Sequence, residues 1–329
     1  MSSIKDVAKH AGVAISTVSK VLNGYPNVSE DTKKRVNDAI RELNYVPNTI
    51  AAALSSKQTG RFAILINLNT QTQAIDEINM QYLSGAMNKA RELKLDVITI
   101  FYSMLQDKSL DEIIVYLKSQ SIAGIIIYQM SKDDTVLKEL IDSQEFKIVV
   151  VDSYIVNENT SSVWVDQARA QYDVAKKAIE GSDVHNILYI AGKENGFVTE
   201  ERIKGIKQLA KDLKLDLRIE KGEFSELQAR NITMQYGKDY DVIVCASDLM
   251  AIGAMNALTE MDVYHPVCGF DGITLMGYVG KQMHTVKQNF SHVSGEAVNE
   301  LRELLSGGVG RNVVLDYELV RLKYEDIIC

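Results

Sequence analysis

Cysteine is scarce in this sequence, with three among 329 residues. Cys245, Cys268 and Cys329 are odd in number, and no two of them have the spacing of metal ligands. A disulfide-stapled secreted fold and a zinc module are therefore excluded. We expect reduced thiols in a cytoplasmic protein that is long enough to bury a stable core without cross-links.

Long apolar runs are also missing. No stretch reaches the length that spans a bilayer, and the N-terminal segment Met1–Asp6 has no apolar run behind a basic start. The sequence therefore predicts neither a membrane segment nor a signal peptide.

The motifs of common catalytic sites are absent as well. There is no G-x-S-x-G elbow and no P-loop, and the five histidines lack metal-binding spacing. The glycine-rich stretch 307–310 follows a helical segment rather than a strand, so it is not a dinucleotide fingerprint. We expect a protein that is not an enzyme and has no metal or cofactor.

Charge is distributed unevenly along the chain. Residues 1–60 carry eight Lys/Arg and five Asp/Glu, a net charge of +3, whereas the whole chain carries −8, which leaves −11 for the remainder. A basic head on an acidic body is typical of a protein in which only the head contacts nucleic-acid phosphates.

The segment 1–46 has helical spacing and no strand alternation. Gly12 suits the end of a first helix, Asn23 and Gly24 break a second, and Ser29 caps a third that ends before Pro47. Three short helices around one small core predict a compact DNA-reading unit. The predicted helices are 4–10, 15–22 and a segment from Ser29 that includes Val36, Ile40 and Leu43.

The second of these helices has one apolar face and one polar face. Val18, Val21 and Leu22 have the i, i+3, i+4 spacing of core residues, which turns Ser16, Lys20 and Asn23 outward. Lys20 can donate to guanine in the major groove, and Ile15 can contact a thymine methyl group. From spacing alone, a solvated helix face is an equally good interpretation.

Two stretches carry a family resemblance: IKDVAKHAGVAISTVSKVLNG and PNVSEDTKKRVNDAIRELNYVPN. From Ile4 to Asn48 they resemble the headpiece of the lactose/galactose repressor (LacI/GalR) family. The resemblance implies that Ile15, Ser16 and Lys20 read bases, and that Thr17, Ser19 and Asn23 contact phosphates and position the helix. Two residues depart from the pattern, Ala14 where Ser is usual and Lys20 where Arg is commoner.

Residues 47–60 form the next segment, a short Ala-rich stretch and a polar linker. It is too short for a stable isolated helix, and an ordinary linker is one interpretation. By resemblance it is a hinge helix that pairs on DNA, with Leu54 as an apolar wedge in the minor groove and Ala51 as the small residue that permits close packing.

From residue 61 onward, apolar runs of strand length alternate with amphipathic helices, which predicts parallel sheets with helices on both faces. The segment resembles the periplasmic-binding-protein-like core of the same family. This implies two doubly wound parallel-sheet subdomains within 61–329: about 61–160 with 289–307, and about 161–288 with 308–329. Predicted strands are 62–66, 96–101, 124–128, 147–151, 186–191, 217–220, 241–245, 267–270 and 313–322, and predicted helices are 76–93, 109–119, 133–143, 167–180, 200–213, 225–236, 249–260, 273–281 and 291–306.

Ligands of such sheets bind outside the carboxyl ends of the strands, where several candidate residues lie. Trp164 and Asp166 share one side of a strand and form a plausible sugar seat. Arg202, Asp271, Asp248 and Gln288 match ligand-site positions of the family by resemblance. Alternatives remain for most of them: Trp164 as core, Asp166 and Asp248 as helix caps, and Arg202 with Asp271 as a structural ion pair.

The sequence thus predicts a transcriptional repressor of a carbohydrate-utilisation operon. Its expected partners are double-stranded operator DNA, a second copy of itself in a homodimer, and a small effector such as a sugar or phosphosugar, with no membrane contact. The loop 67–75 departs from the family pattern, which leaves a ligand other than a common sugar open. A solute-binding protein or a sugar-processing enzyme on the same core is the alternative.

Overall fold

The computed structural model describes residues 3–22, 25, 27–43, 61–67, 77–279 and 282–323. The chain forms two compact units, Met1–Arg61 with Val115–Ile122, and Phe62–Ile114 with Ala123–Cys329. Asn23 and the predicted hinge residues Ala51 and Leu54 lie outside the described residues, as does most of the loop 67–75.

The N-terminal headpiece consists of three helices, as predicted. Ser3 caps the first helix in a capping box with Asp6, and Gly12 ends it in a left-handed conformation at φ 64°. Ser29 caps the third by accepting a hydrogen bond from the Thr32 backbone nitrogen. The helices are α1 (Ile4–Ala11), α2 (Ile15–Leu22) and α3 (Glu30–Glu42).

A small apolar cluster holds these helices together. Val7 of α1, Val18 of α2 and Val36 of α3 are fully buried and pack with Ala8, Ala11 and Ala39. Because Val18 anchors α2 to the cluster, the opposite face of that helix is turned to solvent.

The larger unit contains a six-stranded sheet in the order β11-β5-β4-β3-β1-β2. Strand β1 pairs with β2, β3 with β4, and β5 with β4 and β11, all in parallel. Its strands are β1 (Arg61–Ile66), β2 (Val97–Phe101), β3 (Ile122–Ile127), β4 (Lys147–Val151), β5 (Thr160–Val165) and β11 (Asn312–Leu315). The helices that follow or precede these strands are α4 (Glu77–Leu93), α5 (Leu110–Ser119), α6 (Thr135–Asp142) and α11 (Phe290–Leu305).

A second parallel sheet has the order β7-β6-β8-β9 and its own apolar core. Helices pack on it in pairs, and Gly205 permits one such pair to approach closely, since a Cβ there would lie 2.1 Å from the Ala168 carbonyl oxygen. The strands are β6 (Asn186–Ala191), β7 (Asp216–Lys221), β8 (Val242–Cys245) and β9 (Val267–Cys268), and the helices are α7 (Gln167–Ala178), α8 (Phe197–Leu213), α9 (Glu226–Tyr236) and α10 (Asp248–Glu260). A separate antiparallel pair is formed by β10 (Thr285–Lys287) and β12 (Glu318–Val320).

The predicted fold class, a helical headpiece with an α/β core of two parallel sheets, is confirmed, but the boundaries between the two halves of the core were wrong. Strand β5 joins the first sheet, and β11 pairs with it in the register Val163 to Val313. The first half therefore includes residues 161–165 and 312–315, which were assigned to the second half. The predicted last strand, 313–322, is two strands that belong to different sheets.

One other expectation was wrong, and one strand was not predicted. The described part of the predicted helix 273–281 is not α-helical but contains a short 3₁₀ segment, Thr274–Tyr278. Strand β10 was not predicted, since its three residues pair with a segment more than 30 positions away. The chain crosses between the two sheets after β5, after β10 and after β11, so residues at these crossings lie next to the cleft. Among the described helices, none is long and apolar enough to cross a membrane.

Candidate DNA-reading surface and ligand cleft

The outer face of α2 presents the three residues predicted to read bases. Ile15, Ser16 and Lys20 are exposed, and Ile15 retains 45% of its accessible surface although it is a large apolar residue. Thr17 and Ser19 flank them at intermediate exposure. A short helix with one methyl-rich, one hydroxyl and one ammonium side chain on its open face is suited to the major groove, where each base pair has its own pattern of donors, acceptors and methyl groups.

A cleft between the two sheets of the larger unit encloses a cavity of about 290 Å³. Three predicted ligand residues, Arg202, Asp271 and Gln288, line it together. Asp248, Asp166 and Trp164 do not line it. The other polar residues at its wall are Asn67, Asn79, Tyr82, Gln129, Ser131, Asp152, Lys193, Asn195, Glu223 and Ser247, and the apolar ones include Phe197, Phe224 and Phe290.

Arg202 is buried and held on several sides. Its Nε donates to Gln167 Oε1 at 2.9 Å, its Nη2 lies 3.3 Å from Asp271 Oδ1, and its Nη1 donates to the Ala246 carbonyl oxygen. The guanidinium also stacks 3.7 Å from the centre of the Phe270 ring. These contacts fix the orientation of the planar guanidinium. Arg202 therefore lines the cavity while it is also paired with Asp271.

Asp271 lies at a strained backbone position with φ 111°, a region that favours glycine. Gln288 Nε2 donates to its Oδ1 at 3.2 Å. Burial raises the pKa of Asp271 to about 6, and the nearby Arg202 limits that rise. The carboxylate is thus a fixed hydrogen-bond acceptor directed at the cavity, with a proton affinity close to the physiological range.

Asp248 has a positioning role in this geometry and does not contact the cavity. It is fully buried, and its Oδ2 accepts hydrogen bonds from the backbone nitrogens of Gly272 and Ile273 at 2.7 and 2.9 Å. Thr285 Oγ1 donates to its other oxygen at 2.5 Å. Ser247, rather than Asp248, caps α10. The carboxylate therefore anchors the turn that presents Asp271.

The predicted sugar seat at Trp164 and Asp166 is not assembled. Asp166 caps α7 by accepting a hydrogen bond from the Arg169 backbone nitrogen at 2.9 Å. Trp164 packs edge-to-face against Tyr154, with the ring centres 5.9 Å apart. The physical reason is that both side chains are held by other groups, Asp166 by the first turn of α7 and Trp164 by the Tyr154 ring.

Sequence reasoning missed a second carboxylate at the cavity, Asp152. Tyr82 donates to its Oδ2 at 2.6 Å, and burial raises the pKa of Asp152 although this hydrogen bond opposes the rise. Asp152 follows β4 directly, which is the position where ligand residues are expected in a parallel sheet. Gln167, the first residue of α7 after the crossing, was also missed and connects Arg202 to Gln288.

Polar contacts join the two halves of the core at the mouth of the cleft. Asn195 Nδ2 lies 2.7 and 2.9 Å from the two carboxylate oxygens of Asp133. Lys132 forms an ion pair with Glu200, and the hydrogen bonds from Lys132 and Lys204 lower the pKa of Glu200 to about 2. On the other side, Glu77 accepts from the Thr274 hydroxyl at 2.6 Å.

Comparison with known proteins assigns both parts of the chain. Residues 3–48 match the family model of bacterial regulatory proteins of the lacI family, and residues 77–276 match the model of periplasmic binding proteins and the sugar-binding domain of that family. The chain belongs to the LacI family. It is a DNA-binding transcriptional regulator with an effector-binding domain.

Relatives of this LacI-family chain match it over nearly its whole length. The HTH-type transcriptional regulator RegA of Clostridium saccharobutylicum is 31% identical, over 97% of this chain and 98% of the relative. The regulator AscG of Escherichia coli (strain K12) is 27% identical, over 94% and 93%. A crystal structure of the Lac repressor dimer bound to operator and the anti-inducer ONPF has a TM-score of 0.81 at 22% identity, covering 97% of this chain and 98% of that one, which establishes the shared fold.

Proposed function

We propose that this regulator is a repressor that binds a palindromic operator as a homodimer and is switched by a small, sugar-like effector in the cleft. The observation that carries the proposal is that one chain contains both an exposed reading face on α2 and a cavity lined by Arg202, Asp271 and Gln288. We place its action in the cytoplasm, on genes of carbohydrate utilisation.

The chemistry of the cavity supports a polyhydroxylated effector. Asp152 and Asp271 offer carboxylate oxygens that accept hydroxyl hydrogen bonds, and Arg202 is a fixed donor beside them. The rings of Phe197 and Phe224 provide apolar surface of the kind that small-molecule pockets use for packing. A volume of about 290 Å³ favours a small ligand. The regulator CelR, which shares the fold at a TM-score of 0.71, has been solved as a complex with cellobiose.

Exposed apolar residues support a homodimer. Met80 and Met87 lie seven residues apart on α4 and are 62% and 49% exposed. Leu227 and Met234 have the same separation on α9, with 64% and 38% exposed. Residues spaced i, i+7 share one helix face, so each helix presents an apolar stripe that a second subunit can cover. Two-fold symmetry then matches two headpieces to the half-sites of a palindrome.

The DNA contacts are assigned to α2 and to the predicted hinge. Ile15, Ser16 and Lys20 read bases, while Thr17, Ser19 and Asn23 fix the helix on the phosphates. Leu54 wedges into the minor groove with Ala51 at the hinge contact, and the variant Leu54→Gly is expected to lose operator affinity and DNA bending together. Unchanged affinity and bending would show that the hinge does not act as a wedge.

A direct test uses the full chain with palindromes from around its own coding region. In gel-shift assays at low ionic strength we expect sequence-specific binding that a matching sugar alters, because the effector acts through different affinities for two arrangements of the core. A thermal-shift screen of sugars and phosphosugars identifies the effector. Failure to bind any such palindrome, with or without metabolites, would contradict the proposed function.

A further inference from the structure

A second cavity, of about 500 Å³, lies in the second half of the core, and none of its lining residues touches the effector cavity. Four basic side chains from separate segments converge on it. Lys177 comes from the end of α7, His265 precedes β9, His284 precedes β10, and Arg321 follows β12. The carboxylate of Glu180 lies at the same wall, so Lys177 and Arg321 leave a net positive charge there, which favours an anion.

Arg321 supplies the most available charge in this cavity. Its Nε and Nη2 donate to the Gln282 carbonyl oxygen at 3.3 and 3.2 Å. Within the described ranges no carboxylate forms an ion pair with it. Lys177, in contrast, pairs with Glu180 at 2.5 Å. The carbonyl orients the Arg321 guanidinium without neutralising it, so its remaining N–H groups can bind an anion bidentately.

The pKa of His284 reflects the sign of the electrostatic potential at this ring. Burial lowers the pKa of His284, and the charges of Arg321 and Lys177 lower it further, against the opposing effect of Glu180. The cations therefore outweigh the carboxylate at this ring. An anion between His284 and Arg321 would oppose the effect of these cations and raise the pKa of His284.

We propose that this cavity binds the phosphate group of a small phosphorylated metabolite through Arg321, His284, His265 and Lys177. A planar guanidinium next to an imidazole matches the oxygen geometry of a phosphate monoester. The volume far exceeds that of a phosphate group, and the apolar side chains of Met255, Pro266 and Val267 line the remainder. That wall accommodates the organic part of the ligand, which inorganic phosphate lacks.

The position of the site links it to the effector cleft by a short path. The His284 carbonyl oxygen accepts a hydrogen bond from the Gly269 backbone nitrogen at 2.9 Å, and Gly269 lies two residues before Asp271. On the other side, β10 runs from Thr285 to Lys287 and leads directly to Gln288. Two of the chain segments that line the second site therefore continue into the first.

The test compares glycerol 3-phosphate with glycerol and with inorganic phosphate, by calorimetric titration of the full chain. We expect glycerol 3-phosphate to bind at one site per chain, more tightly than inorganic phosphate, and glycerol not to bind. Arg321→Gln should weaken the binding by about tenfold or more, because it removes a charge-assisted contact. Lys207→Gln, which removes an exposed cation on α8, is the matched control and should leave the affinity unchanged.

Equal affinity for inorganic phosphate, or equal losses in the two variants, would overturn the proposal. A second measurement covers the case in which Arg321→Gln fails to fold. In the unmodified chain, glycerol 3-phosphate should raise the pKa of His284. Proton NMR titration of the five histidines measures this pKa, and the spectrum of His284→Gln identifies the His284 signal. A His284 titration curve that does not move with saturating glycerol 3-phosphate would also overturn it.

Discussion

Asn195 donates to both carboxylate oxygens of Asp133, at 2.7 and 2.9 Å, across the mouth of the effector cleft. The backbone adds to this link, since the Lys132 nitrogen donates to the Asn195 carbonyl oxygen at 2.8 Å. The loop after β3 and the loop before α8 are thus joined directly. Because the loops belong to opposite halves of the core, their contact ties the two halves together at the mouth of the cleft.

Loss of this contact should weaken effector binding. Asn195→Ala removes the amide that holds Asp133, and exposed polar contacts of this kind contribute about 0.2 to 1 kcal/mol. We therefore expect effector affinity, measured by calorimetry, to fall by a factor of about 1.4 to five. Glu194→Ala is the control, because Glu194 pairs with Lys221 outside the cleft. Equal affinities in the two variants would show that the contact does not bias closure.

Arg202→Lys should separate effector binding from DNA binding. A lysine has one ammonium group in place of the fork that reaches Gln167, Ala246 and Asp271, so part of the network loses its donor. We expect effector affinity to fall at least about tenfold, with operator affinity of the effector-free protein retained in a gel shift. Arg218→Lys, at a more exposed pair with Glu220, should change neither. Unchanged effector affinity in Arg202→Lys would show that Arg202 is not part of the effector site.

The free energy of unfolding should depend on pH because of the raised pKa of Asp271. Because its pKa is raised to about 6, the folded chain binds this proton more tightly than the unfolded chain. Its contribution to stability is therefore full at low pH and is lost as the pH rises through about 6. Relative to Asp271→Asn, which has no such proton, the wild type should lose about 1 to 1.5 kcal/mol between pH 5 and pH 7.5 in denaturant titrations. A difference independent of pH would contradict the raised pKa.

Lys20→Met should lower operator affinity without affecting the core. A specific base contact contributes about 1 to 3 kcal/mol, so we expect a loss of about five- to 150-fold on the operator and a smaller loss on unrelated DNA. Thermal shifts with the effector should be unchanged. Lys34→Met on α3 removes a comparable exposed charge and serves as the control. If both variants lose affinity equally, Lys20 acts only through its charge.

Periodicity predicted most of the fold because most elements bury apolar side chains at regular spacing. The strand around Trp164 was predicted, but the first half of β5 was missed for a specific reason: it contains Ser161 and Ser162, which are buried. Ser161 donates to the buried carboxylate of Glu300 at 2.9 Å, a partner 139 positions away. An apolar pattern cannot reveal a strand whose inward residues are polar and are satisfied by distant groups.

The candidate site was predictable where a residue follows a strand and unpredictable where its role depends on a partner. Asp271 and Arg202 came from motif context, and Asp152 could have been found because it directly follows β4. The exclusion of Asp248 from the cavity depends on Gly272, Ile273 and Thr285, which bind its carboxylate only after the chain has folded. Sequence spacing does not distinguish a carboxylate that contacts a ligand from one that anchors the adjacent turn.

The single tryptophan has a consequence for the search for the effector. Trp164 packs edge-to-face against Tyr154, and the centre of the Tyr154 ring lies 5.7 Å from that of Phe197, which lines the cavity. This chain of three rings runs from the wall of the cleft to the only indole. Trp164 is thus an intrinsic fluorophore, and its emission should shift whenever a ligand displaces Phe197.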